Sequence, residues 1–129
     1  MNKIHDTGVA RHIGAYSDAI EVPAGARFLI TSGTPGLDSE GRLPPDFESQ
    51  ARNTWINIVH ALAKADMSVA DLVKVTTSLT SASDVPAYVP IRTEFLGEVR
   101  PAFMLQIVDQ LIWPEVKIEV EIMAAKRDG

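Results

Sequence analysis

Few side chains in this sequence carry the means for chemistry, and what is missing decides the first step. Its 129 residues include no cysteine, which removes disulfides, thiolate metal sites and cysteine nucleophiles together. Any catalysis then rests on oxygen and nitrogen groups. His5, His12 and His60 have no metal-ligand spacing and read as structural or surface residues, so no metal site is expected. Ser17 and Ser32 sit in no nucleophile elbow and have no identifiable His-acid pair nearby. Gly33, Gly36 and Gly41 are followed by no Gly-Lys-Ser/Thr and open no helix as GxGxxG, so they read as turn glycines rather than a phosphate loop. Glu119 is more informative. In VKIEVEIMAA, Ile118, Val120 and Ile122 alternate with Lys117, Glu119 and Glu121, which puts this carboxylate on the charged face of a strand. A carboxylate there, partly buried by a second copy of the chain, can position or deprotonate water. The competing reading is a solvated carboxylate, or an ion pair with Lys117 or Lys74.

The elements that would position Glu119 follow from periodicity. AIEV (Ala19 to Val22) and RFLITS (Arg27 to Ser32), joined by PAGA, predict a hairpin. SGTPGLDSEGRLPPD predicts a long surface loop with several turns. From N-cap Asp46, the apolar residues Phe47, Ala51, Trp55, Ile58, Val59 and Leu62 recur at helical spacing to about Asp66. SVAD (Ser68 to Asp71) is a capped turn leading into VKVTTSLT, a strand with one apolar and one small polar face. A second helix is expected over about Asp84 to Leu96, disturbed by Pro90. RPAFMLQIV (Arg100 to Val108) sets Phe103, Leu105 and Ile107 against Met104, Gln106 and Val108, apolar on both sides.

The resulting order, β-β-α-β-α-β-β, predicts an α/β (α+β) fold in one domain spanning 1–129, with both helices on one face of a mixed sheet. The other face is left bare. Met104, Val108 and their neighbours then meet solvent or another copy, and apolar area worth about 25 cal/mol per Å² makes solvent costly. A homo-oligomer is expected.

Composition narrows the function classes. Hydrophobic residues at 46% and charged residues at 22% are ordinary globular values, and no apolar run approaches the length of a bilayer span. A formal charge of -5, with lysines and arginines scattered, offers no footprint for a phosphate backbone. Neither nucleic acid nor membrane is an expected partner. MNKIHDTGVARHIG lacks the apolar core and cleavage site of a secretory signal, which points to the cytoplasm.

Several stretches together resemble the Rid family, also called the YjgF family: IGAYSDAI, FLITSGTPGLDSEGRLP, QARNTWINIVHALAKADMSVADLVKVTTSLT, RPA and VKIEVEIMAA, in order over nearly the whole chain. The resemblance implies a chorismate-mutase-like fold assembled as a homotrimer, with small-molecule clefts between subunits. It also implies hydrolysis of reactive enamines and imines, such as 2-aminoacrylate, to keto acids and ammonia without a cofactor. Glu119 matches the family's water-activating glutamate, Tyr16 its cleft tyrosine, and Ser32 and Gly33 the segment lining the cleft.

One motif departs. Family deaminases read Arg-Pro-Ala-Arg, the last arginine clamping the substrate carboxylate, whereas this chain reads Arg-Pro-Ala-Phe and has Phe103 there. Losing one partner of a buried charged pair costs about 2 to 5 kcal/mol, roughly thirtyfold to several-thousandfold in binding or rate. Val89 stands where many members carry asparagine. The substitutions argue against the standard deaminase activity and leave three readings. The chain hydrolyses imines lacking a carboxylate, with Glu119 and an apolar wall of Phe103, Met104 being a further ligand-contact candidate; or Arg92 or Arg100 serves as a relocated clamp; or it is a non-catalytic ligand-binding or protein-protecting trimer.

Overall fold

The computed structural model describes residues 1–128. Among the described residues there are seven strands: β1 (Lys3–His5), β2 (Ala19–Glu21), β3 (Arg27–Ile30), β4 (Thr34–Pro35), β5 (Leu72–Leu79), β6 (Ala102–Ile107) and β7 (Ile118–Lys126). Two helices, α1 (Phe47–Lys64) and α2 (Val85–Leu96), flank β5 in the chain. The main sheet runs β3-β7-β5-β6, with β4 also on β7. β5 and β6 are parallel and the other pairs antiparallel, so the sheet is mixed.

Both helices cover the same face. Trp55, Ile58 and Leu62 of α1 and Tyr88, Ile91 and Leu96 of α2 join Val75 and Leu79 of β5 and Ile118, Val120 and Ile122 of β7 in one core cluster. The alternation read from VKVTTSLT and VKIEVEIMAA holds residue for residue: those apolar positions are buried, and Lys74, Thr76, Ser78, Glu119 and Glu121 turn to the uncovered side. Helix α1 starts where expected, with the Asp46 carboxylate accepting from Ser49 N at 2.9 Å. Ser68 and Asp71 close a reciprocal capping box before β5. Helix α2 runs through Pro90 without ending. A proline there forgoes only the single bond to the carbonyl four residues earlier, and the packing of Tyr88 and Ile91 on either side holds the turn.

The expected hairpin does not form. β2 pairs with β1, Lys3 opposite Glu21 and His5 opposite Ala19, while β3 pairs with β7. PAGA does turn, with Gly25 at φ +82, but it passes the chain between two sheets. The burial explains the choice: on β7, Leu29 packs against the core, whereas the largely exposed β2 has no buried face to offer β3. The long loop also holds a strand that periodicity missed, β4, whose two residues face Val120 and Glu119.

Candidate functional site

The residues singled out by sequence fall into two groups within one chain. The first surrounds Glu119, at the start of β7 on the uncovered face. Cross-strand register places Glu119 opposite Ser78 of β5, and Ser78 beside Gln106 of β6. Gln106 Nε2 donates to Ser78 Oγ at 3.0 Å, so a polar row runs across the sheet from the carboxylate. Gly33 lies against that carboxylate: a β-carbon placed on it would stand 2.6 Å from Glu119 Oε1. Ser32 precedes it in the same exposed turn, its carbonyl accepting from Thr34 Oγ1 at 3.0 Å. Among the described residues, Glu119 has no hydrogen-bond or ion-pair partner; neither Lys117 nor Lys74 reaches it. Met104 shares this face one row away, beside Thr76, and is 51% exposed.

Helix α1 holds this group in place through amides that the sequence reading passed over. Gln50, fully buried, donates to the carbonyls of Pro44 and Glu115 and accepts from Lys117 N at 2.8 Å, fixing the chain two residues before Glu119. Asn53 donates to the Gly36 carbonyl, and Asn57 to those of Pro35 and Leu37. Their spacing of three and four along one helix stripe is the signal that marks them. Gly36 is a close-approach glycine rather than a turn glycine, since a β-carbon there would lie 2.1 Å from the Gln50 carbonyl oxygen. Gly41, at φ +79, does serve a turn, closed by Gly41 N donating to the Asp38 carbonyl.

The second group gathers at the start of β6, on the helix side. Phe103 neighbours Val75 and packs against the core. The Arg92 guanidinium lies over its ring, 4.6 Å from the centroid. Arg92 and Arg100 line a cavity of about 60 Å³ with Ala15 and Val99. Arg100 and Ala15 also border a larger one of about 290 Å³ that includes Tyr16 and Asp18. The Tyr16 segment is anchored by its neighbours: Ser17 N donates to the Pro101 carbonyl, and the Ser17 hydroxyl to that of Arg100. Asp18 accepts from the backbone N–H of Thr7, Gly8 and Ala10, and the bonds from Ala10 and Thr7 hold its carboxyl below the usual value.

Phe103 and Glu119 therefore do not share a wall in one chain. They point to opposite faces, and Phe103 sits three residues along β6 from Gln106, about 10 Å at strand rise. His5 pairs with exposed Glu21 at 2.7 Å, and His12 and His60 are exposed. Among the described residues, no group of three or more His, Asp or Glu side chains is placed to hold a metal, and no helix is long and apolar enough to cross a membrane.

The chain matches the family described as endoribonuclease L-PSP over residues 8–126. It is 34% identical over 116 residues to a RutC family protein of Pyrococcus abyssi, covering 88% of each chain. It is 27% identical over 118 residues to the 2-iminobutanoate/2-iminopropanoate deaminase of Escherichia coli, covering 89% of this chain and 90% of that one. Among solved structures, YyfB of the Rid protein family from Yersinia pestis superposes with a TM-score of 0.83 at 22% identity, over 97% and 98% of the two chains.

Proposed function

The chain belongs to the Rid (YjgF) family, the group described as endoribonuclease L-PSP, and from that premise we propose that it hydrolyses imines or enamines to carbonyl compounds and ammonia in clefts of a chorismate-mutase-like homotrimer. The observation that carries this reading is the unpartnered carboxylate of Glu119 on a sheet face that no element of its own chain covers. Glu119 takes a proton from water as the hydroxyl oxygen adds to the iminium carbon, then returns it to the carbinolamine nitrogen; the C–N bond breaks, ammonia leaves, and the hydroxyl proton passes to solvent as the C=O bond forms. The C=N bond is broken and no electrons are transferred. Ser78 and Gln106 continue the polar row from which that water is held.

Assembly is supported by the same face. Phe28, Ile30 and Met104 are 57%, 69% and 51% exposed on it, and a second copy would remove that apolar area from water. A neighbouring subunit would also close the open side of Glu119, bringing to it the Tyr16, Arg92 and Phe103 group that a single chain keeps on the opposite side.

Cleavage of RNA is not part of this reading. The formal charge of -5 and the absence of a basic stripe in the sequence give a phosphate backbone little to bind. One observation favours a second reading, a ligand-binding trimer without turnover: Phe103 stands where the family's carboxylate-clamping arginine is expected.

The deciding experiment measures ammonia release from freshly generated 2-iminopropanoate and from imines of simple amines, with wild type and Glu119→Gln, alongside oligomeric mass by light scattering. Release that disappears in a trimeric Glu119→Gln variant supports the hydrolase. Release that persists removes Glu119 from the mechanism, and none from any imine favours the ligand-binding trimer.

A further inference from the structure

Two guanidinium groups line one small cavity, and no acidic side chain lines it with them. Glu94, on the same helix as Arg92, is engaged elsewhere, 3.1 Å from Arg52. The two arginines differ in what they have left to give. Arg100 donates from one guanidinium nitrogen to the carbonyls of Gly97, at 2.9 Å, and Val99, at 3.1 Å, where α2 ends. These bonds occupy one of its nitrogens in satisfying backbone oxygens beyond the helix.

Arg92 has no hydrogen-bond or ion-pair partner among the described residues. Its guanidinium carbon lies over the Phe103 ring, 4.6 Å from the centroid, and 6.0 Å from the centroid of the Tyr88 ring. Contact with the rings leaves the N–H groups unspent, and a free arginine fork matches the two oxygens of a carboxylate. The group is half-buried. Its burial pushes its pKa down, partly opposed by the Tyr88 hydroxyl and reinforced by the charge of Arg100. A bound anion would offset both costs.

We infer that the cavity between α2, Val99 and Ala15 is an anion pocket for the carboxylate of a small 2-keto or 2-imino acid, gripped by Arg92, with the Phe103 ring supporting the guanidinium and Arg100 adding a second positive charge. Its geometry stands alone, while the choice of this ligand class rests on the imine-hydrolase reading. A water needs roughly 10 to 15 Å³ by the same measure, so about 60 Å³ admits a carboxylate group but not a nucleobase. The adjoining 290 Å³ cavity shares Ala15 and Arg100 with it and offers space for the remainder of the molecule beside Tyr16. On this account Phe103 keeps a role in carboxylate recognition: the charge comes from the helix packed above the strand.

The test is a titration with sodium pyruvate, followed by backbone amide shifts and by calorimetry, with acetone as the uncharged comparison and inorganic phosphate as the competing anion. Wild type should bind pyruvate saturably with shifts at Ala15, Arg92 and Val99, and acetone should not bind. Arg92→Gln should weaken pyruvate roughly thirtyfold or more, and Arg92→Lys, which keeps the charge but loses the fork, should fall between. Equal binding by Arg92→Gln that retains its thermal midpoint, equal binding of acetone, tighter binding of phosphate than of pyruvate, or no saturable pyruvate binding would each overturn the pocket. Imine turnover separates this inference from the hydrolase reading. Pyruvate binding through Arg92 without Glu119-dependent ammonia release leaves the pocket and removes the hydrolase. Glu119-dependent release with unchanged pyruvate affinity in Arg92→Gln does the reverse.

Discussion

The Glu119 carboxylate lies so close to Gly33 that a β-carbon added to the glycine would stand 2.6 Å from Oε1. What obstructs that carbon is the far end of a flexible side chain rather than backbone. Gly33→Ala should therefore displace the carboxylate and leave the fold standing. A shift of about 1 Å in a reacting group costs on the order of a hundredfold in rate, so ammonia release should fall by about that factor while the thermal midpoint stays near that of wild type. Unchanged turnover would show that the position of Glu119 on the sheet is immaterial.

Gly36→Ala should behave in the opposite way. Its β-carbon would meet the Gln50 carbonyl oxygen at 2.1 Å and the Gln50 carbonyl carbon at 2.7 Å, and helix backbone cannot swing aside. Overpacking of this kind costs about 1 to 3 kcal/mol, to be read as a lower denaturant midpoint at fixed protein concentration. If the two alanine variants have equal stability, the close approach of the loop to α1 is not a constraint on folding.

This pair also shows where the sequence was legible. Strand faces and helix limits are local properties, written in periods of two and about four, so Glu119 could be assigned to the uncovered face from VKIEVEIMAA alone. Gly33 and Gly36 differ only in what approaches them from distant parts of the chain, and no local pattern encodes that. The same holds for Ser78, which register sets opposite Glu119, for Gln106, which register sets beside Ser78, and for β1, which takes β2 from its anticipated partner β3. The separation of Phe103 from Glu119 is likewise a fact of register and face.

Tyr88 ties the two helices to the sheet from inside the core. Its hydroxyl accepts from Trp55 Nε1 at 3.2 Å and pairs with Thr77 Oγ1 at 2.6 Å, with all three side chains fully buried. Tyr88→Phe keeps the ring beneath Arg92 but strands an indole N–H and a threonine hydroxyl, at a cost of about 1 to 3 kcal/mol. Chemical denaturation should report that loss while pyruvate affinity is unchanged. A neutral effect would mean that these groups find other partners.

Acid should loosen the wall of the Tyr16 cavity through Asp18. Backbone bonds from Ala10 and Thr7 hold its folded-state pKa below 3.8. The folded state thus favours the ionised form; its contribution to stability is complete above the unfolded value and is lost as pH falls through the folded one. Asp18→Asn should lower the thermal midpoint at neutral pH, and its gap from wild type should narrow as the pH drops below 3.8. Midpoints recorded from neutral pH to about pH 3 decide it, since a gap of constant size would assign the effect to shape rather than charge.

The uncovered face supplies the last prediction. Ile30 sits opposite Met123, which neighbours Lys74, and Met104 lies beside Thr76, so both project from the side away from the helices. A glutamate at either position would carry an unpaired charge into a subunit interface, at a cost far above that of one on a solvated surface. Ile30→Glu and Met104→Glu should each reduce the proposed trimer to monomers by light scattering, and ammonia release should vanish although Glu119 is untouched. Ile56→Glu makes the same change on the outer side of α1, where Ile56 is already 41% exposed, and should leave the mass unchanged. If all three variants keep the wild-type mass, the bare face is not where copies meet. Loss of assembly with retained turnover would instead mean that one chain completes the site by itself.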